Sequence, residues 1–277
     1  MSSSGRLEGW SAAGEPVSWW QGLIGCTAGL LIAVVTTPVG VSGAVFLLPV
    51  QFSVLNVPSP AVTPTNLLYN VVAGPGALLR YRRRGHLGGP LTRLLVLGTL
   101  PGVVIGALIR VFILPDPQVF RLLVACLLLP LGLWLCMRTL RPPRRHDTPE
   151  GPSPRAITTL AVAVGIVGGI YGIGGGSLLG PILAGRGLPV ATVAPAALAS
   201  TFLTSIAGAL TYTVLALTTP GDISPDWALG LLCGLGGLIG GYIGAHLQPR
   251  LPETALRLLL GTLAIALACL YAAQGLN

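Results

Sequence analysis

The chain has 277 residues, 52% of them hydrophobic and only 9% charged, with a mean hydropathy of +0.80. Soluble domains carry roughly 25% charged residues, so a soluble enzyme or nucleic-acid binder is excluded despite the formal net charge of +8. The composition is that of an all-α polytopic membrane protein.

Residues 1–16 form a polar N-terminal tail without the basic start and short apolar core of a signal peptide. Trp10, Trp19 and Trp20 make it an interfacial lead-in. Charge is then absent over 16–79, and again over 156–185, 187–221 and 227–249. A helix needs about 20 apolar residues to cross the hydrocarbon core, so the chain is expected to hold about eight to ten membrane segments, counting short or broken ones. The Pro-rich, charged run "RPPRRHDTPEGPSPR" (141–155) is the one linker. It divides the chain into a first transmembrane unit, 17–140, a cytoplasmic linker, 141–156, and a second transmembrane unit, 157–277.

Every one of the 16 basic residues is Arg. Arg80, Arg82, Arg83, Arg84 and Arg93 crowd one loop, and Arg138, Arg141, Arg144, Arg145 and Arg155 another. Basic residues collect on the cytoplasmic side of membrane proteins, which places 80–90 and 140–156 there. The five cysteines, Cys26, Cys126, Cys136, Cys233 and Cys269, sit in apolar runs without metal-ligand spacing. They are expected to be buried, small apolar residues, and no metal or cofactor is expected.

The two units repeat one another. "GVSGAVFLLP" (40–49) overlies "GIGGGSLLGP" (172–181), matching Gly40 with Gly172, Gly43 with Gly175 and Pro49 with Pro181. "VPSPAVTPTNLLYN" (57–70) overlies "LPVATVAPAALAST" (188–201), matching Pro58 with Pro189 and Pro64 with Pro195. "GTLPGVVIGA" (98–107) matches "GGLIGGYIGA" (236–245), and "LPDPQVFRLL" (114–123) resembles "LPETALRLLL" (251–260). The Arg-rich loop at 80–93 corresponds to "TPGDISPD" (219–226), which carries Asp222 and Asp226 instead. Opposite charge implies opposite sides, so the repeats are expected to be inverted, with 219–226 on the outer face.

Each unit should contain a Gly/Pro-broken or re-entrant helix. Gly40 to Gly43 and Gly172 to Gly176 are too flexible to continue a helix cleanly, and Pro49 and Pro181 lack the helical donor. Paired breaks at equivalent places point to a substrate site. Helix starts there would offer backbone N–H groups to an anion. The candidate binding residues are Thr37, Gly40, Ser42, Gly43, Asn66 and Asn70 in the first unit. In the second they are Gly172, Gly174, Gly175, Gly176, Ser177, Ser200, Thr201 and Thr204. All are neutral donors or backbone. No carboxylate lies in mid-span, where cation carriers and proton relays place one, so a small anion is the expected substrate. A buried Arg would grip a small dianion too tightly for turnover, and none is expected. The glycines four apart, Gly98, Gly102, Gly106 and Gly236, Gly240, Gly244, mark packing faces instead.

On "GIGGGSLLGPIL", its degenerate copy "GVSGAVFLLPV" and "APAALASTFLTSIAGALTY" (194–212), the chain resembles the sulfite exporter TauE/SafE family. The resemblance implies a non-enzymatic, multi-pass carrier of small sulfur oxyanions or organosulfonates in the inner membrane. Membrane lipid surrounds it, no nucleic acid is involved, and a homodimer is among the open oligomeric arrangements. Val41-Ser42 departs from the family's more glycine-rich run. Two rivals stand beside it: an anion channel or scaffold, and a rhomboid-like intramembrane serine protease using Ser42 of "GVSG" with His246 of "GAHL". The repeat opposes the protease, because Ser42 overlies Gly174.

Overall fold

The computed structural model describes residues 17–59, 61–83, 88–114, 116–140, 154–185, 188–219, 223–250 and 252–276. The polar tail, Trp10, most of the linker and the loop tips 84–87 and 220–222 lie outside the described residues. The regular elements among those described are all helical. In the first unit they are α1 (Trp19–Thr36), α2 (Ala44–Pro49), α3 (Val62–Arg83), α4 (Pro90–Phe112) and α5 (Pro117–Leu140). In the second they are α6 (Pro154–Tyr171), α7 (Leu179–Gly185), α8 (Val190–Thr218), α9 (Trp227–Leu247) and α10 (Glu253–Leu276). The order long, short, long, long, long occurs in both.

Among the described residues, five helical stretches are long and apolar enough to cross a bilayer: Trp19–Val39, Pro90–Phe112, Gln118–Leu140, Ala191–Thr218 and Trp227–Arg250. Helix α3 is as long, at 22 residues, but Thr63, Thr65, Asn66, Asn70 and its terminal arginines lower its hydropathy. Most of those polar groups are buried, so α3 spends them inside the protein. The outer surface is apolar instead, with Leu97, Leu210 and Leu217 exposed, as a lipid-facing wall requires. Cys126 and Cys269 also lie on that exposed surface, against the expectation of burial. Their helices turn those faces outward, where a thiol is as compatible with lipid as a methyl.

Local signals set the ends. Ser18 caps α1 by accepting from the Gln21 N–H, and the Gln21 side chain accepts from the Ser18 N–H in return. Trp19 and Trp20 follow, exposed and stacked with ring centroids 3.6 Å apart. At the other end Pro38 and the left-handed Gly40 stop the helix.

Between helices, glycine does the packing. Gly236, Gly240 and Gly244 of α9 lie against the backbone carbonyls of Cys26, Leu30 and Val34 of α1. Gly102 and Gly106 of α4 lie equally close to Val162 and Ile166 of α6. Lipid gives helices no hydrophobic reason to associate, so close backbone approach supplies the attraction. A methyl at Gly240 would be driven into the Leu30 carbonyl. Gly240→Ala is therefore expected to cost about 1–3 kcal/mol through overpacking. A lowered melting temperature in detergent checks this, and an unchanged one contradicts it.

The same contacts fix helix directions. In α1 and α9 the paired residue numbers rise together, as they do in α3 and α9, where Leu68 meets Gly230 and Val72 meets Gly234. Both pairs are parallel. Helices α3 and α8 are antiparallel, because Leu67 meets Gly208 while Gly74 meets Phe202. Helices α5 and α10 are antiparallel too, with Gly132 beside Ile265 and Cys136 beside Gly261. The ends of α3 and α5 and the starts of α4 and α6 thus share one face. The end of α8 and the start of α9 share the other.

At that second face Asp226 caps α9. Its carboxylate accepts from the Leu229 N–H at 3.0 Å, and its own N–H donates to Thr65 Oγ1 at 2.8 Å. Burial pushes the carboxyl above the usual carboxylate range, opposed by the Leu229 and Ala228 N–H groups. A raised folded value means the group's contribution is full below the unfolded pKa, about 3.9, and is lost as pH rises through the folded one. Asn caps as well as Asp. Asp226→Asn should therefore melt no lower than wild type at pH 7, with any gain vanishing as pH falls towards 4. A clear loss at pH 7 would show that the charge itself is needed.

Candidate functional site

Both breaks turn on a glycine in the left-handed region. Gly40 has φ 75° and Gly172 has φ 71°, and Gly174 adds φ 75°. Such values strain any residue with a Cβ. Space forbids one as well, since a Cβ at Gly40 would stand 2.7 Å from the Ala194 Cα, and one at Gly172 would strike the Thr63 carbonyl. Three residues before each of these glycines, a tyrosine hydroxyl reaches the backbone: Tyr81 donates to the Thr37 carbonyl at 3.5 Å and Tyr212 to the Gly169 carbonyl at 3.0 Å. In the alignment of the two units, Tyr81 overlies Tyr212.

Asn70 of α3 ties the two breaks together. Its Oδ1 accepts from the Ser42 hydroxyl at 2.5 Å, and its Nδ2 donates to the Gly172 carbonyl at 3.5 Å. Ser42 also accepts from the Ala44 N–H at 3.2 Å, just before α2. Asn66, one turn before Asn70, donates to the Ala44 carbonyl at 3.0 Å, while its Oδ1 is buried without a partner.

The second break is packed closed. The Gly175 N–H donates to Thr204 Oγ1 at 2.9 Å, and Ser200 shares a hydrogen bond with Thr99 at 2.9 Å. Ser177 donates to the Ile173 carbonyl and meets Thr201 Oγ1 at 3.3 Å. A Cβ on Gly176 would run into the Ala197 carbonyl.

A cavity opens beside the first break. Its polar wall consists of Thr37, Ser42, Tyr69, Asn70 and Thr201, and its empty space, open mouth included, is ≈ 370 Å³. The room inside it for the centre of a water-sized sphere is ≈ 30 Å³, enough for one or two waters, so a substrate enters only as the walls part. Gly43, Gly237 and Gly241 bring backbone to its surface, and Phe202 closes one side. Of the candidate residues, Thr37, Ser42, Gly43, Asn70 and Thr201 line it. Gly40 and Asn66 are outside its lining. So are Gly172, Gly174, Gly175, Gly176, Ser177, Ser200 and Thr204, which belong to the closed half or its supports.

Tyr69, Phe202, Gly237 and Gly241 escaped the sequence reading. A signal for the glycines was present in the doubled "GG" at 236–237 and 240–241. One member of each pair packs on α1 and the other faces α3. Only the second helix start is too short for a large dipole, with seven residues in α7, whereas the helix from Ala44 runs on through a π-helical turn to Val54. The expected absence of a buried arginine is also overturned. Arg110, in the last turn of α4, is 0% exposed. The side chain folds back over Phe120, 4.2 Å from the ring centroid.

The model of the sulfite exporter TauE/SafE family matches residues 25–271. The chain belongs to the sulfite exporter TauE/SafE family. No curated protein and no solved structure matches it. Membership makes the molecule an integral membrane transporter of the anion and sulfite class, in keeping with its apolar spanning helices. Members are transporters rather than enzymes, and the protease alternative finds no support in this TauE/SafE chain. Ser42 gives its proton to Asn70 rather than to a histidine. His246 sits exposed in the last turn of α9, outside the cavity wall.

Proposed function

We propose that this chain is a secondary transporter moving a small sulfur oxyanion, sulfite or an organosulfonate, across the inner membrane through the cavity at Asn70. The observation that carries the reading is the cavity wall, which offers hydroxyls and an amide but no carboxylate. Hydrogen bonds to a charged acceptor are worth about 1.5–3 kcal/mol each, so two or three neutral donors hold a small anion firmly yet release it. Thr37, Ser42, Asn70 and Thr201 are the primary contacts. Gly40, Asn66 and the second break, Gly172 to Ser177 with Ser200 and Thr204, shape and support them.

An inverted repeat explains the cavity's position. Asn70 overlies Thr201 in the alignment of the two units, and both line the cavity. Equivalent helices α3 and α8 run antiparallel, as a two-fold axis in the membrane plane requires. The paired tyrosine bonds of Tyr81 and Tyr212 support the same relation. A site at the repeat interface near mid-membrane is the arrangement carriers of this kind use.

Thermal unfolding of the purified protein with sulfite, sulfate, thiosulfate, taurine or chloride tests the substrate class. A ligand at one hundred times its Kd stabilises by about 2.7 kcal/mol. Sulfite or a sulfonate should raise the melting temperature well beyond chloride at equal ionic strength. Equal responses to all five would overturn the assignment.

A further inference from the structure

Arg110 plays no part in the cavity. Its Nε donates to Thr63 Oγ1 at 3.4 Å, and its two terminal nitrogens reach Ser59 Oγ and the Leu114 carbonyl. Phe120 lies beneath the guanidinium, and Tyr171 packs on Phe120 with ring centroids 5.7 Å apart. Tyr212, also fully buried, completes the surroundings. Every hydrogen-bond partner is neutral, and among the described residues no carboxylate pairs with this cation. A buried charge without a counter-charge costs several kcal/mol. Intramembrane ionisable groups that persist at such a cost mark ion and substrate paths.

Its place fits a path. Thr63 opens α3, whereas Arg80, Arg82 and Arg83 close it. At 1.5 Å per residue the two ends of α3 are roughly 30 Å apart, the thickness of the hydrocarbon core. Asn70 lies two turns from Thr63, about 10 Å along the helix. Arg110, beside Thr63 in the last turn of α4, therefore stands where a route from the cavity would meet the face opposite the arginine cluster.

We propose that Arg110, with Ser59 and Thr63, is a second anion-binding site, a station for a small oxyanion on the route between the cavity and that face. The proposal rests on the anion-transport reading. A guanidinium presents parallel N–H groups that match two oxygens of an oxyanion. The anion takes the terminal nitrogens from Ser59 and the Leu114 carbonyl, both weaker acceptors. Thr63 keeps Nε and holds the fork in place.

Sulfite titrations of the melting temperature test it, on the purified full chain and on Arg110→Gln, Gly241→Leu and the two combined. Gly241→Leu fills the cavity, so it reports on the central site alone. With two sites, each single variant loses part of the sulfite-induced rise and the combined variant loses all of it. Should Arg110→Gln lower the baseline yet keep the full rise, Arg110 is a structural tether, the station does not exist and the cavity reading survives. A rise wholly abolished by Gly241→Leu also overturns the station. No rise in the wild type overturns both. Ser59→Ala serves if Arg110→Gln fails to fold. Removing the competing hydroxyl should lower the sulfite concentration giving half the rise, and an unchanged titration counts against the site.

Discussion

Gly241→Leu is expected to abolish anion transport while leaving the folded amount at the wild-type level. Gly241 lines the cavity from the middle of α9, and a Cβ there has its nearest neighbours at 3.5, 3.6 and 3.7 Å. Those are ordinary contact distances, so the backbone need not move. Replacing a mid-helix glycine also recovers up to about 1 kcal/mol of helix propensity, which offsets crowding further out. The remaining carbons of leucine must then occupy a cavity whose empty space is ≈ 370 Å³ with its mouth. Its neighbour supplies the control, since Gly240 faces α1 and meets the Leu30 carbonyl. Gly175 would not serve, because its Cβ would collide with Thr99 in the closed half. Sulfite flux in proteoliposomes, normalised to folded protein, checks the result. Wild-type flux in Gly241→Leu would place the route elsewhere.

Asn70→Asp should reduce flux nearly as far, for an electrostatic reason. The substitution keeps size and the acceptor facing Ser42 but places a negative charge in the cavity wall. Two like charges about 4 Å apart repel by about 4 kcal/mol at an effective dielectric of 20, roughly a thousandfold in binding. The variant also loses the 3.5 Å bond to the Gly172 carbonyl and buries a carboxylate, so flux is normalised to folded protein. Flux should recover in part as pH falls and the new carboxyl takes up a proton. A variant transporting sulfite at the wild-type rate at pH 7 would contradict anion binding at Asn70.

Several parts of this architecture were legible in the chain. The left-handed glycines were, because Gly40 and Gly172, both with positive φ, stand in the two glycine-rich runs. The packing faces were, because Gly236, Gly240 and Gly244 recur every fourth residue. Rotation about each helix axis was not. A doubled glycine satisfies both a packing face and a cavity face, and only the neighbouring helix decides which is which. Spacing therefore identified Gly240 and missed Gly241.

The asymmetry of the two breaks was hidden for a related reason. Ser42 stands where the second unit has Gly174, and that exchange alone does not tell which half is open. The bonds from Gly175 to Thr204 and from Ser200 to Thr99 close one half. The cavity lies against the other. The buried arginine was not foreseen, because nothing in the sequence shows that Phe120 and Ser59 draw the Arg110 side chain inward.

The most direct test of the central claim is sulfite counterflow in proteoliposomes holding the full chain. Vesicles are preloaded with unlabelled sulfite and diluted into a trace of labelled sulfite. A carrier that binds the anion in the cavity at Asn70 gives saturable uptake, with a transient overshoot that depends on the internal load. Uptake that rises linearly with concentration and ignores the internal anion would contradict the carrier and leave a channel.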